Sequence, residues 1–174
     1  SGTASISVGA GVFTDSVGNG NAASSSLSIA YDTVVPTISI ARSGSGTLGA
    51  GGTEVLTFTL SENSTNFIES DVTVSGGTLS GFSGSGTTYT ATFTPTSSAS
   101  GTASISVGAG VFTDAAANGN TASTALSIAY DTVVPTVSIA RSGSGSLGVG
   151  STDVLTFTLS ENSTNFIESD VTVS

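Results

Sequence analysis

Hydrophobic and polar residues alternate with a period of two through most of the chain. In residues 88–94, tyrosine, alanine and phenylalanine alternate with four threonines, and residues 55–60 alternate leucine and phenylalanine with threonine. A period of two is that of a half-buried β-strand, whereas an amphipathic helix needs a period near 3.6. The pattern therefore predicts an all-β protein with no helical segment.

The alternation breaks at glycine-rich and polar turns, which divide residues 37–130 into seven short strands. We predict these strands at residues 37–41, 55–60, 72–74, 79–82, 88–94, 103–107 and 126–130. Seven short strands separated by turns are typical of a two-sheet antiparallel sandwich of the immunoglobulin type. A single β-barrel or a β-helix agrees less well with the length of the repeat described next.

The whole pattern returns along the chain at an offset of 99 residues. Residues 1–75 align with residues 100–174, and 64 of the 75 aligned positions are identical. A period of this length is a whole domain, because solenoid repeats are only roughly 20–50 residues long. Near-identity indicates that every copy does the same job, as spacer domains do.

The segment Tyr31–Thr37 returns unchanged as residues 130–136 and marks the boundary between repeats. Pro36 has no amide donor and restricts the residue before it to extended conformations, which suits the entry into an edge strand. Division there gives three parts: residues 1–31, the C-terminal part of a preceding repeat; residues 32–130, a complete repeat; and residues 131–174, the N-terminal part of the following repeat. Both partial repeats lack the counterpart of residues 76–99, so we expect a longer tandem array.

The charge of the chain excludes several classes of function. Twelve acidic and two basic residues give a net charge of -10, which argues against nucleic acid and anionic membranes as partners. Histidine, cysteine and lysine are absent, so nucleophiles activated by histidine and lysine Schiff bases are excluded. No apolar run is long enough to span a membrane. We therefore expect a non-catalytic protein, in which Arg42 and Arg141 form surface ion pairs worth under about 1 kcal/mol.

Acidic residues fall in loops that the predicted strand directions bring to one end of the sandwich. In the complete repeat these are Asp32, Glu62, Glu69, Asp71 and Asp114, and the repeat relates them to Asp131, Glu161, Glu168, Asp170 and Asp15. Glu54 is the exception, at the opposite end. Clustered carboxylates repel one another unless a cation lies among them, and Ca²⁺ prefers six to eight oxygen ligands. The sequence therefore predicts a calcium site at each junction, with a solvated acidic rim as the alternative.

Several segments resemble the bacterial Ig-like repeat. The clearest are Phe112–Asn118 and Phe13–Asn19, which look like its F-x-D-x-x-G-N element, and the resemblance continues through Leu60–Glu62, Tyr89–Pro95 and Tyr130–Pro135. Such repeats occur in tandem in large secreted adhesins and biofilm-associated surface proteins. The resemblance implies a stiff, calcium-bound extender outside the cell. Ala117 replaces the glycine of this element, so we expect the turn to differ between the two copies.

Taken together, the sequence predicts a calcium-rigidified stalk of a bacterial surface adhesin, located extracellularly or at the cell surface. Its partners would be the neighbouring repeats of the same chain. The first alternative is a subunit of a self-assembling extracellular filament or surface layer, whose partners would be other copies. The second alternative, a carbohydrate-binding module, needs exposed aromatic residues, whereas Tyr31, Tyr89 and Tyr130 all fall at predicted core-facing positions.

Overall fold

The computed structural model describes all 174 residues as two compact units, Ser1–Thr132 and Val133–Ser174. The first unit contains eight strands: β1 Gly2–Ile6, β2 Leu27–Tyr31, β3 Ile38–Arg42, β4 Glu54–Ser64, β5 Val72–Ser75, β6 Gly77–Pro95, β7 Ser100–Val107 and β8 Leu126–Asp131. The second unit contains β9 Val137–Arg141 and β10 Leu155–Leu159. The only helices are two short 3₁₀ turns, Glu69–Asp71 and Glu168–Asp170. None of the helices is long and apolar enough to cross a membrane.

Two antiparallel sheets form the sandwich of the complete repeat. One sheet has the strand order β3-β4-β6 and the other has the order β5-β7-β8. This division of the chain matches the two sheets of an immunoglobulin constant-type domain. The predicted all-β, antiparallel immunoglobulin-like fold is confirmed.

Strand β6 is one continuous run of residues that covers two of the seven predicted strands, 79–82 and 88–94. The nineteen residues of β6 fold back on themselves. The amide of Thr96 donates to the carbonyl of Gly76 at 3.0 Å, and the hydroxyls of Ser83 and Thr90 lie 3.5 Å apart. Gly77 is needed for this close approach, because a Cβ there would overlap Phe93 and the carbonyl of Thr94.

The residues with a period of two form the core between the sheets. Leu56, Phe58 and Phe93 are completely buried, as are Ala103 and Ile105 on the facing sheet. The predicted inward faces of these strands are therefore confirmed. Five aromatic rings extend this core toward the end of the sandwich where β4 ends, with centroids 5.1–6.0 Å apart; they are Phe58, Phe67, Phe82, Tyr89 and Phe112.

The glycine-rich loop between β3 and β4 is bound to the last strand of the repeat. The amide of Leu48 donates to the carbonyl of Ala129, and the amide of Asp131 donates to the carbonyl of Leu48. The loop is closed by Glu54, which is only 4% exposed and lies 3.3 Å from Nε of Arg42. A hydrogen bond from the hydroxyl of Ser43, together with the amide of Gly44 and the charge of Arg42, lowers the pKa of Glu54 despite its burial. The prediction of a surface ion pair for Arg42 is thus wrong, because its partner is buried.

The partial repeats keep the strand pairing of the complete one but not its core. Strands β1 and β2 pair in the same register as β7 and β8, with Tyr31 opposite Gly2 as Tyr130 is opposite Gly101. Residues 1–31 contain only the counterparts of these two strands and their loop, so nothing covers their apolar face. Tyr31 is therefore 52% exposed, against 9% for Tyr130, although it has the same position on its strand.

Candidate metal centre at the junction of two repeats

The loop between β7 and β8 presents Asp114 in a tight hydrogen-bonded turn. Its carboxylate accepts hydrogen bonds from the amides of Ala116 and Asn118, at 2.8 and 2.9 Å. The side-chain amide of Asn118 donates to the other oxygen at 2.8 Å. This last bond is the main cause that lowers the pKa of Asp114, and the backbone amides add to it. Asp114 is thereby fixed in its ionised form and in one orientation.

The turn is the same in both copies, contrary to the expectation from Ala117. Asp15 accepts hydrogen bonds from the amides of Val17 and Asn19 and from the side chain of Asn19, at 2.8–3.0 Å. Gly18 has a φ of 97°, and Ala117 takes the same left-handed region with a φ of 68°. The bonds to the aspartate thus hold alanine in a conformation that glycine adopts without cost.

The substitution Ala117→Gly should raise the free energy of unfolding by about 0.5–1 kcal/mol, because relief of the left-handed strain exceeds the added entropy of the unfolded chain. The midpoint of urea unfolding measures this change. Ala116→Gly is the matched control in the same turn, where φ is not positive and glycine brings only the entropic cost. A fall in stability on Ala117→Gly equal to that of Ala116→Gly would contradict the strain.

Asn120 holds the base of the same loop, a role that the sequence did not identify. Asn120 is 3% exposed, and its Oδ1 accepts hydrogen bonds from the amides of Val111 and Phe112. Its Nδ2 donates hydrogen bonds to the carbonyls of Gly108 and Thr121. All its hydrogen-bonding capacity toward the protein is therefore used, and it offers no free oxygen to a cation. Asn21 makes the same bonds in the partial repeat, so the base of the loop is the same in both copies.

Three carboxylates from distant parts of the sequence meet beside this loop. Asp32 directly follows β2, Glu62 lies on β4, and Asp114 belongs to the loop after β7. One oxygen from each lies within 4.8 Å of the other two. Glu62 was expected in a loop, but β4 continues to Ser64 and the strand itself positions the carboxylate. Asn118 joins two of these elements, because its side chain also donates to the backbone carbonyl of Asp32 at 3.2 Å.

The electrostatics of this cluster fit a hard cation. Oε1 of Glu62 is buried and has no hydrogen-bond partner, which is costly for a charged oxygen. Three anionic groups this close also repel one another. The cluster lines a pocket together with Ser61, Asn63 and Thr87, so every donor available there is an oxygen or an amide. This donor set suits Ca²⁺, whereas Zn²⁺ prefers the nitrogen and sulfur ligands that the chain lacks.

The other predicted ligands lie outside this group of three. Glu69 and Asp71 form the 3₁₀ turn before β5, where the carboxylate of Asp71 accepts the amide of Ile68 at 2.9 Å. Asp131 ends β8, and Asp15 is bound within its own turn. In the second unit, Glu168 and Asp170 form the equivalent 3₁₀ turn, and Glu161 lies beside Asn162 in a shallow pocket. No counterpart of Asp114 follows Glu161 in this chain, so the group of three is complete once.

Comparison with known proteins assigns the complete repeat to a family. The model of the bacterial Ig-like domain family matches residues 32–130, more than half of the chain. No curated protein and no solved structure matches the chain. The family is a structural, non-enzymatic domain type, and its members are typically found in extracellular or surface proteins.

Proposed function

The chain belongs to the bacterial Ig-like domain family, and on this premise we propose that it is a calcium-rigidified stalk of a bacterial surface adhesin. The stalk extends a binding region away from the cell, and its direct partners are the neighbouring repeats of the same chain. The near-identity of the repeats supports a spacer, since a spacer needs many equal units and a binding site needs only one. The absence of histidine, cysteine and lysine leaves few residues for catalysis.

The group formed by Asp32, Glu62 and Asp114 is the observation that carries this proposal. Asp32 lies between β2 of one repeat and β3 of the next, whereas the other two belong entirely to the next repeat. A cation held by all three therefore attaches the connecting segment to the sandwich that follows it. The connection between repeats then resists bending, although a short linker is normally flexible.

Each of the three residues has a distinct part in such a site. Asp114 is already oriented by its turn, so its binding costs little conformational entropy. Glu62 offers an oxygen that no protein donor satisfies. Asp32 is held near them because Asn118 binds its carbonyl and the amide of Val34 binds its carboxylate. Bound Ca²⁺ would supply two positive charges against the three negative charges of the carboxylates.

Spin-label distances across the junction test the stiffening directly. The chain has no cysteine, so Ser28→Cys on β2 and Ser39→Cys on β3 introduce the only two labelling sites, both exposed. We expect the distribution of distances between nitroxides at these sites to become narrower when calcium replaces a chelator. Pulsed electron paramagnetic resonance measures this distribution.

The matched control combines the labels with Asp32→Asn, which removes the ligand in the connecting segment. That variant should give the broad distribution in calcium and in chelator alike. Equal widths for the unsubstituted labelled chain in calcium and in chelator would rule out calcium stiffening of the junction, even if calcium bound elsewhere.

A further inference from the structure

Asn118 is followed by Gly119, whose backbone amide donates no hydrogen bond to the protein backbone. Two backbone hydrogen bonds, here called the ladder bonds, join the two sides of this loop. The amide of Asp114 donates to the carbonyl of Asn118, and the amide of Asn120 donates to the carbonyl of Phe112. Gly119 faces Thr113 between these two bonds, and neither bond involves its own amide. Gly119 is exposed and carries no side chain, so its nitrogen is free to approach the side chain of Asn118.

We propose that Asn118 is a site of spontaneous deamidation whose rate is governed by the closure of the junction. The Gly119 nitrogen loses its proton and attacks Cγ of Asn118, and the new C–N bond closes a succinimide ring. The bond from Cγ to Nδ2 breaks, and Nδ2 leaves as ammonia. Water then adds to one of the two ring carbonyls, which gives either aspartate or isoaspartate at position 118.

The structure shows what restrains this reaction. To reach the Gly119 nitrogen, the Asn118 side chain must leave Oδ2 of Asp114 and the carbonyl of Asp32. The second of these bonds exists only when the connecting segment lies against the loop. A junction that opens therefore exposes Asn118 to deamidation, and a closed junction protects it.

The partial repeat contains an internal comparison. Asn19 and Gly20 occupy the same turn with the same ladder bonds, and Asn19 binds Asp15 as Asn118 binds Asp114. Asn19 has no bond that corresponds to the one with Asp32, and it is exposed whereas Asn118 is partly buried. Asn19 should therefore deamidate roughly two- to tenfold faster than Asn118, the factor that one net hydrogen bond is worth.

The product would weaken the junction in the absence of a cation. A carboxylate at position 118 cannot donate to the carbonyl of Asp32, and it adds a negative charge beside Asp114. The effect of calcium on the rate rests on the proposed function, because calcium would close the junction. The order of the two rates in chelator rests only on the hydrogen bonds of the protein.

The experiment incubates the 174-residue chain at mildly alkaline pH and follows the peptides around Asn19 and Asn118 by mass spectrometry. In chelator we expect Asn19 to react faster than Asn118, and in calcium we expect Asn118 alone to slow further. Ala117→Gly makes residues 117–120 identical to residues 18–21, so it removes any effect of the preceding residue. In urea the two sites of this variant should react at the same rate.

The results in chelator test the deamidation proposal, and the results in calcium test the proposed calcium site. Equal rates at Asn19 and Asn118 in chelator, or no reaction at either, would overturn the inference, whatever calcium does. The expected order in chelator without an effect of calcium would count against the proposed calcium site, but it would still support protection of Asn118 by its bond to the Asp32 carbonyl. Asn120, which is buried and followed by threonine, should remain unmodified throughout.

Discussion

Saturating calcium should raise the melting temperature of the chain by about 10 °C, and Glu62→Gln should remove this increase. A ligand at a hundredfold excess over its dissociation constant stabilises the folded state by about 2.7 kcal/mol. For a unit of this size, about 1 kcal/mol corresponds to a shift of roughly 4 °C. Glu62→Gln replaces one of the three carboxylates by a neutral amide, so the proposed calcium site would lose one of its three negative charges and one of the two Glu62 oxygens. Thermal unfolding with calcium and with chelator measures both effects.

The repeat supplies the matched control for this substitution. Glu161 occupies the position of Glu62 in the second unit, where no counterpart of Asp114 follows it. Glu161→Gln should therefore leave the calcium-dependent shift intact. Glu69→Gln tests the acidic 3₁₀ turn of the complete repeat, which lies outside the group of three, and should also leave the shift intact. A shift that survives Glu62→Gln but disappears with Glu69→Gln would place the cation at the 3₁₀ turn.

In chelator, Glu62→Gln should stabilise the chain rather than destabilise it. The substitution replaces a partly buried carboxylate, whose Oε1 has no hydrogen-bond partner, by a neutral amide of the same shape, and it reduces the repulsion among the three carboxylates. The same variant thus has opposite effects in the two conditions. This change of sign separates a functional metal ligand from a residue that merely supports the fold, whose loss would be destabilising in both.

The fold could be predicted from the sequence because its determinants are local. Alternation in residues 88–94 and 55–60 fixed which side chains face the core, and the buried positions of Tyr89, Phe58 and Leu56 agree. The continuation of β4 to Ser64 could not be predicted, because residues 61–64 are polar and have the composition of a loop. Their strand is maintained by tertiary contacts, such as the bond from the hydroxyl of Tyr89 to the carbonyl of Ser64.

The candidate site could be predicted only in part, for a related reason. Strand directions place loops at one end of a sandwich, but they do not say where a side chain points. Asp71 binds the backbone of its own turn, as does Asp15, whereas Glu62 extends from a strand toward Asp32. Local bonds to the backbone do not decide membership, because Asp114 binds its own turn as Asp15 does and still belongs to the group of three. The tertiary approach of Asp32 and Glu62 decides it, and the sequence pattern does not give that approach.

Phe112→Ala should lower the free energy of unfolding by about 3–5 kcal/mol, the cost of truncating a buried phenylalanine. Phe112 is completely buried, and its ring centroid lies 5.1 Å from that of Phe67. The loop after β7 is thus attached to the core two residues before Asp114. The loss is a large fraction of the 5–15 kcal/mol that typically stabilises a domain. Urea unfolding monitored by circular dichroism measures it.

Phe13 makes this prediction stringent, because it is the same residue of the repeat in a different environment. It is 63% exposed, since residues 1–31 lack the strands that would cover it. Phe13→Ala should therefore change the unfolding free energy by no more than about 0.5 kcal/mol, as surface substitutions do. Similar losses for the two variants would show that residues 1–31 bury Phe13 in solution, contrary to the structure. A large loss for Phe112→Ala alone would establish that the core of the complete repeat, rather than the local sequence, anchors the loop that presents Asp114.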